Sequence, residues 1–220
     1  SISIGLLTTS IPKIEIYSQS LFSDDYLLNK KIPFKNINPV NSIKKRKLNS
    51  SKFNILCAGT VKELGARRYY YESSFEYLFF LKELCKKLLN LDFEVQLVIR
   101  LRDIKNEINS NILEENLKQF GKLVKISKNT TLSEDIVNCD CLIALSSTTL
   151  EDATNCGTPA MSYGLSNYDH FNFYNHSKYK IHANLRNYNK MKKVEKVLGR
   201  NFIYLEDRFL KREKSIFDYI

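Results

Sequence analysis

Ser146, Ser147, Thr148 and Thr149 stand in a row between an apolar run, CLIAL, and a helix-forming one, LEDATNCG. Four hydroxyls at a strand-to-helix turn, with the free amides and positive dipole end of the helix start, make a site for an anion. A phosphate or diphosphate fits there without a lysine. Glu151 then falls in the first turn of the helix, where its carboxylate can accept hydrogen bonds from ribose hydroxyls. The same residues also read as a plain capping box, with Thr148 as the cap and Glu151 three residues later. The two readings are compatible, because a cap hydroxyl can also meet a ligand.

A second cluster runs from Gly59 and Thr60 to Arg67 and Arg68, followed by Tyr69, Tyr70 and Tyr71. Glycine lets the backbone turn sharply and approach a ligand closely. Paired arginines clamp phosphate or carboxylate in two-point fashion, and tyrosines can flank a sugar or base. A loop of about 14 residues is long for a compact domain, and long loops are often functional. A solvated basic loop with its tyrosines on the core explains the same composition. The third candidate is VIRLRD, where Arg100 and Arg102 share one face if the strand continues. Each serves equally for an anion contact or for a salt bridge to Asp103 or a helix acid. His170, His176 and His182 fall on no common helix or strand face, so they do not predict a metal site. The chain has no G-x-S-x-G, no Walker A lysine and no G-x-G-x-x-G after a strand.

These residues need elements to hold them. Strands are expected at 53–59, 94–100, 123–127, 141–146 and 158–164, all short apolar runs. Helices are expected between them. Ser73 with Glu76 opens one that reaches about Asn90, its apolar face read as Phe75, Leu78, Phe79, Leu81, Leu84, Cys85, Leu88 and Leu89. A polar helix covers 107–119, a short one runs from a Thr131–Glu134 capping box to Asn138, and the helix after Thr148 ends at Gly157. Residues 191–199 read as helix, NFIYL as a short strand and the tail from Asp207 as helix. Strand and helix alternate at this spacing in α/β folds with a doubly wound, Rossmann-like parallel sheet. Such sheets bind ligands beyond the carboxyl ends of their strands. Residues 1–52 look irregular, with one strand at Lys13–Ser18 and then a Pro- and Lys-rich linker.

Composition sets the outer bounds. With 220 residues and 43% hydrophobic content, the chain can bury a full core without disulfides or metal. No apolar run approaches the ~20 residues that cross a bilayer. The five cysteines read as small buried thiols in a reducing compartment. Cys139 and Cys141, two apart, would share a face on a strand. The net charge of +10 is uneven: +8 in residues 26–52, +7 in 171–220, −2 in 1–25 and −3 in 53–170. Basic flanks suit anionic lipid, nucleic acid or a polyanionic substrate. The run KKRK lacks interleaved aromatics, which argues against single-stranded nucleic acid. A lysine-rich composition with much Asn and Ile explains the charge equally well.

ILCAGT, the Arg-bearing strand ends and CDCLIALSSTTLEDATNCGTPAMSYG together resemble the nucleotide-sugar half of GT-B glycosyltransferases. The likeness is to those of bacterial surface-polysaccharide and lipopolysaccharide synthesis, and it covers about residues 53–164. It implies that Ser146, Ser147 and Thr148 hold the donor diphosphate and Glu151 the ribose. Gly59 and Thr60 would face the donor from the other loop, while Arg67, Arg68 and Arg100 compete for the basic phosphate contact. Asp152 departs from the small residue common after the acid. The resemblance further implies no cofactor and no metal, and a glycan or lipid-linked acceptor. It also implies a cytoplasmic location with peripheral contact at the inner membrane face. Residues 1–52 become the end of a preceding domain and a linker, and 53–220 the donor-binding domain with C-terminal helices. The acceptor half and catalytic base would then precede residue 1, leaving the isolated chain weak or inactive. Two other readings stand beside this one. They are a nucleotide-sugar 2-epimerase of the same architecture and a basic, non-enzymatic α/β domain that binds polyanions.

Overall fold

The computed structural model describes residues 15–18, 21–36, 52–59, 74–101, 110–145, 147–164 and 179–205. A small parallel pair, β1 (Tyr17–Ser18) and β2 (Lys35–Asn36), is joined through helix α1 (Leu21–Asn29). Next come β3 (Phe53–Gly59), α2 (Ser74–Leu88), β4 (Val95–Leu101) and α3 (Ser110–Leu117). A 3-10 turn at Lys118–Leu123 leads into β5 (Val124–Ile126) and α4 (Leu132–Asn138). The chain continues through β6 (Cys141–Ala144), α5 (Thr149–Asn155), β7 (Ala160–Ser162) and α6 (Tyr188–Leu198).

The main sheet has five parallel strands in the order β5-β4-β3-β6-β7. This is the doubly wound α/β arrangement that the alternating pattern predicts. The chain winds outward from β3 to β5, then crosses back and winds the other way through β6 and β7. Central β3 is covered on both faces, which is why FNILCAG reads as a continuous apolar run. On one face Phe53, Ile55, Cys57, Leu97, Ile99 and Ile143 pack against α2, α3 and α6. On the other Leu56, Ala58, Leu142 and Ala144 pack against α4 and α5.

Local chemistry explains the element ends. Thr131 caps α4 with a full capping box: its hydroxyl accepts from the Glu134 amide at 3.2 Å, and the Glu134 carboxylate accepts from the Thr131 amide at 2.7 Å. Gly157 ends α5 with φ +69°. The Thr158 amide donates to Ala153 O and the Gly157 amide to Thr154 O, which closes the helix end in a Schellman turn. The polar helix expected to reach residue 119 ends at Leu117 and gives way to the 3-10 turn, which Gly121 (φ 50°, ψ −124°) kinks; residues 107–109 lie outside the described residues. NFIYL forms no ladder of its own; Ile203 makes antiparallel bridges to Ala160 and Lys180.

Two expectations change. Residues 21–29 form a helix rather than irregular chain, and buried Leu27 anchors it. Leu21 of that helix packs against the α4–α5 side of the core. Cys139 and Cys141 do not share a face. Cys139 ends α4 and packs with Leu56 and Ile136, whereas Cys141 starts β6 and joins the opposite cluster. All five cysteines are free and buried, and burial pushes the Cys85 thiol up to about 12. Of the strand expected at Lys13–Ser18, Tyr17–Ser18 is strand and Glu15 and Ile16 are not, while residues 13–14 and the tail from Asp207 lie outside the described residues.

Buried Asp140 ties together the amino edge of the sheet. Its carboxylate accepts the Asn54 amide of β3 at 2.8 Å and the Asn187 side chain, just before α6, at 2.7 Å. Asp140→Ala should leave the Asn54 donor unpaired and cost about 1–3 kcal/mol. Urea unfolding of the variant should show the midpoint falling with an unchanged slope.

Candidate functional site

The reversal of winding occurs between β3 and β6, and in doubly wound sheets ligands bind beyond the carboxyl ends of such a strand pair. Register pairs Ile55, Leu56 and Cys57 with Cys141, Leu142 and Ile143. Two residues further on, the strands reach Gly59 and Leu145. The strand ends that carry the Gly59 and Ser147 loops are thus neighbours.

Gly59 stays in extended strand conformation. Its missing side chain makes room for Tyr77 of α2: a Cβ there would lie 2.4 Å from the phenolic oxygen and 2.6 Å from the ring. Tyr77 is buried and begins an aromatic row through Phe80 to Tyr163, with centroid spacings of 6.1 and 6.0 Å. Lys87 closes the row by donating to the Tyr163 hydroxyl at 2.8 Å. The close approach expected at this glycine is therefore met by an aromatic ring of the protein itself.

The turn after β6 is clamped from β7, which the sequence reading missed. Buried Ser162 donates to Leu145 O at 2.8 Å, and the Tyr163 amide donates to Ala144 O at 2.9 Å. Gly164 packs so closely that a Cβ would lie 2.2 Å from a Leu145 methyl. The only sequence signal was the small residues in AMSYG.

The helix start differs from the expected capping box by one position. Thr148 has helical backbone angles (φ −59°, ψ −17°) and its side chain makes no cap bond. Ser147 does the capping. Its hydroxyl accepts from the Thr149 amide at 3.3 Å and from the Thr149 hydroxyl at 2.9 Å. Moving the cap to Ser147 puts apolar Leu150 where a reciprocating acid would stand, so no box closes. The amides of Leu150, Glu151 and Asp152 donate to Ser147 O or Thr148 O. The expected free amides at this turn are thus bonded within the chain from Thr149 to Asp152, and the helix has only seven residues. What the turn offers a ligand is hydroxyl groups, with Thr148 exposed and Ser147 and Thr149 half-buried.

Glu151 and Asp152 follow in the first turn, both half-buried. Burial, then the neighbouring Glu151 charge, raises the Asp152 carboxyl above its ordinary 3.8.

Arg100 ends up elsewhere. Its Nη1 bonds Asp135 of α4 at 2.8 Å, Thr130 O at 2.6 Å and Ser127 Oγ at 3.2 Å. The ion pair is part-buried and fastens α4 to the ends of β4 and β5. Of the two roles open to this arginine, the salt bridge to a helix acid is the one observed. Thr60, Arg67, Arg68, Arg102 and Ser146 lie outside the described residues, as do His170 and His176. A separate groove of about 730 Å³ runs along β4 and β5 beside α4, lined by Gln96, Val98, Lys125 and Asn138 among others. It does not include the Ser147 turn. Among the described residues, no group of three or more His, Cys, Asp or Glu side chains is arranged to hold a metal.

The chain matches no protein-family model and no curated protein. The site therefore rests on its geometry.

Gly59→Ala should push against the buried Tyr77 ring and destabilise the protein by about 1–3 kcal/mol in urea unfolding. Asp152 yields a pH prediction. With its folded pKa raised, the folded protein holds more proton than the unfolded chain between 3.8 and the raised value. Stability is lost as pH rises through that window. Asp152→Asn should therefore raise the melting temperature at pH 7, with the gain fading as pH falls below 3.8.

Proposed function

We propose that this chain is the donor-binding half of a GT-B-type glycosyltransferase, acting on a nucleotide-sugar. The observation that carries the reading is the junction of the Gly59 strand end and the Ser147 turn at the point where the sheet reverses its winding. A nucleoside diphosphate lying across that crevice meets the hydroxyls of Ser147, Thr148 and Thr149 on the β6 side. Its ribose lies toward Glu151, one turn along. Because Thr149 to Asp152 use their amides internally, selectivity comes from hydroxyl and carboxylate contacts rather than from a helix dipole.

The sugar passes to a surface-glycan or lipid-linked acceptor held by a second domain. Alone, this chain binds donor and transfers weakly. Donor binding uses no metal, so chelators leave it unchanged.

Calorimetric titration with UDP, GDP, CDP, ADP and CMP at two salt concentrations tests the reading. One diphosphate should bind selectively and keep its preference at the higher salt. Ser147→Ala and Glu151→Gln should each weaken it about tenfold, the loss of one hydrogen bond to a charged partner. Equal response to all nucleotides, or only salt-steep binding to RNA, would instead identify a basic polyanion-binding domain.

A further inference from the structure

Two parts of the surface depart from what a doubly wound fold ordinarily shows. Phe75, Phe79 and, in the turn after α2, Leu89 were expected on the core face and are exposed, but Lys82 and Lys86 stand between them and nothing beside them selects a partner. The other part, the outer strand β5, carries an argument further. Among the described residues β5 pairs with β4 alone, Val98 lying opposite Lys125. In a parallel pair alternate residues turn their amide and carbonyl toward the neighbouring strand. The Ser127 amide donates to Ile99 O at 2.9 Å, so by alternation Lys125 also faces β4. Ile126 then points its amide and carbonyl away from the sheet. Val124 points the same way and spends its amide on Gly121 O.

The groove of about 730 Å³ follows this free edge. Val124, Lys125 and Ile126 all line it, as do residues 127–130. Successive strand residues put their side chains on opposite faces, so a groove that touches all three runs along the edge of the strand. On the α4 side it continues over the sheet, where Gln96 and Val98 are only half-buried and Lys125 is exposed. Interior strands of parallel sheets ordinarily run apolar on both faces, and β4 departs from this where it floors the groove.

Charge selects the occupant. Of the acids in the groove, Glu114 is held by Lys128 at 2.6 Å and Asp135 by Arg100 at 2.8 Å. Lys118 and Lys125 are exposed in it, and among the described residues no carboxylate pairs with either. A short edge strand with a lysine is a common guard against strand addition. In a chain of net charge +10 such a guard repels a second copy and attracts an acidic strand. No aromatic side chain lines the groove, so it offers no platform on which a nucleic-acid base stacks.

We propose that the free edge of β5 docks an acidic, extended segment of a partner protein. The segment adds a strand to the sheet, with Ile126 supplying main-chain hydrogen bonds and Lys118 and Lys125 meeting its carboxylates. The proposal does not rest on the transferase reading, and its test uses no nucleotide.

The test is fluorescence anisotropy of a labelled eight-residue peptide of alternating Asp and Val, titrated with the full chain. The peptide should bind, and added salt should weaken the complex. Its counterpart with Lys in place of Asp should bind at least tenfold more weakly. An acidic peptide N-methylated at every backbone amide keeps its charge and cannot pair as a strand; it should lose at least about tenfold. The K118Q/K125Q variant should bind the acidic peptide about fivefold more weakly, with an unchanged unfolding midpoint because both lysines are exposed. Amide exchange followed by NMR should slow at Ile126 when the acidic peptide is bound. Absence of binding, equal binding of the acidic and basic peptides, or unchanged exchange at Ile126 would overturn the proposal. So would an N-methylated peptide as good as its parent, which would reduce the contact to charge alone, or parental affinity in K118Q/K125Q.

Discussion

The pairing of β3 on both of its edges is the constraint on which the rest depends. Strand β3 is bonded to β4 on one side and β6 on the other, over seven and three residue pairs. Phe53, Ile55, Leu56 and Cys57 are buried along it. Burying each large side chain is worth about 1.5–3 kcal/mol relative to exposure, and a slipped register at this strand would send each side chain to the face packed for its neighbours. Because β6 returns to the inner side of β3 instead of continuing past β5, the sheet has a reversal point. The crevice there follows from topology before any particular side chain is considered.

Polar groups then fix the two edges of that sheet. At the amino edge Asp140 binds the start of β3 to the start of α6. At the carboxyl edge Ser162, Tyr163 and Gly164 hold the turn that leads from β6 into α5. The same turn is stiffened from within by the Ser147 cap. This local satisfaction has a chemical consequence. Amides bonded within the helix are not offered to an anion, so recognition passes to hydroxyls and to Glu151. Arg100, spent on α4, makes the β4–β5 end rigid without adding a positive charge to the crevice.

What could be read in the sequence were the features whose physics is local. The apolar strands, the Thr131–Glu134 box and the Gly157 helix stop depend on neighbours within a few residues. Features set by distant partners were not legible. Asp140 finds its acceptor role 86 residues away at Asn54, and Arg100 meets Asp135 across 35. The cap moved from Thr148 to Ser147 because two adjacent hydroxyls compete, and spacing alone does not choose between them. Helix α2 misled for a different reason. Apolar residues on both sides satisfy a helical period, so periodicity could not tell the core face from the outer one. Helix α1 carries Ser23, Asp24 and Asp25 beside its apolar residues and lacks a clear apolar face, so it read as irregular chain.

Hydrogen–deuterium exchange with and without a nucleoside diphosphate tests the central claim most directly, because it locates the ligand on the fold. Slowed exchange confined to the end of β3 and to residues 145–152 is the predicted result. Protection along β4, β5 and α4 instead, with the β3 end and the Ser147 turn unchanged, would contradict a donor site at the reversal of the sheet.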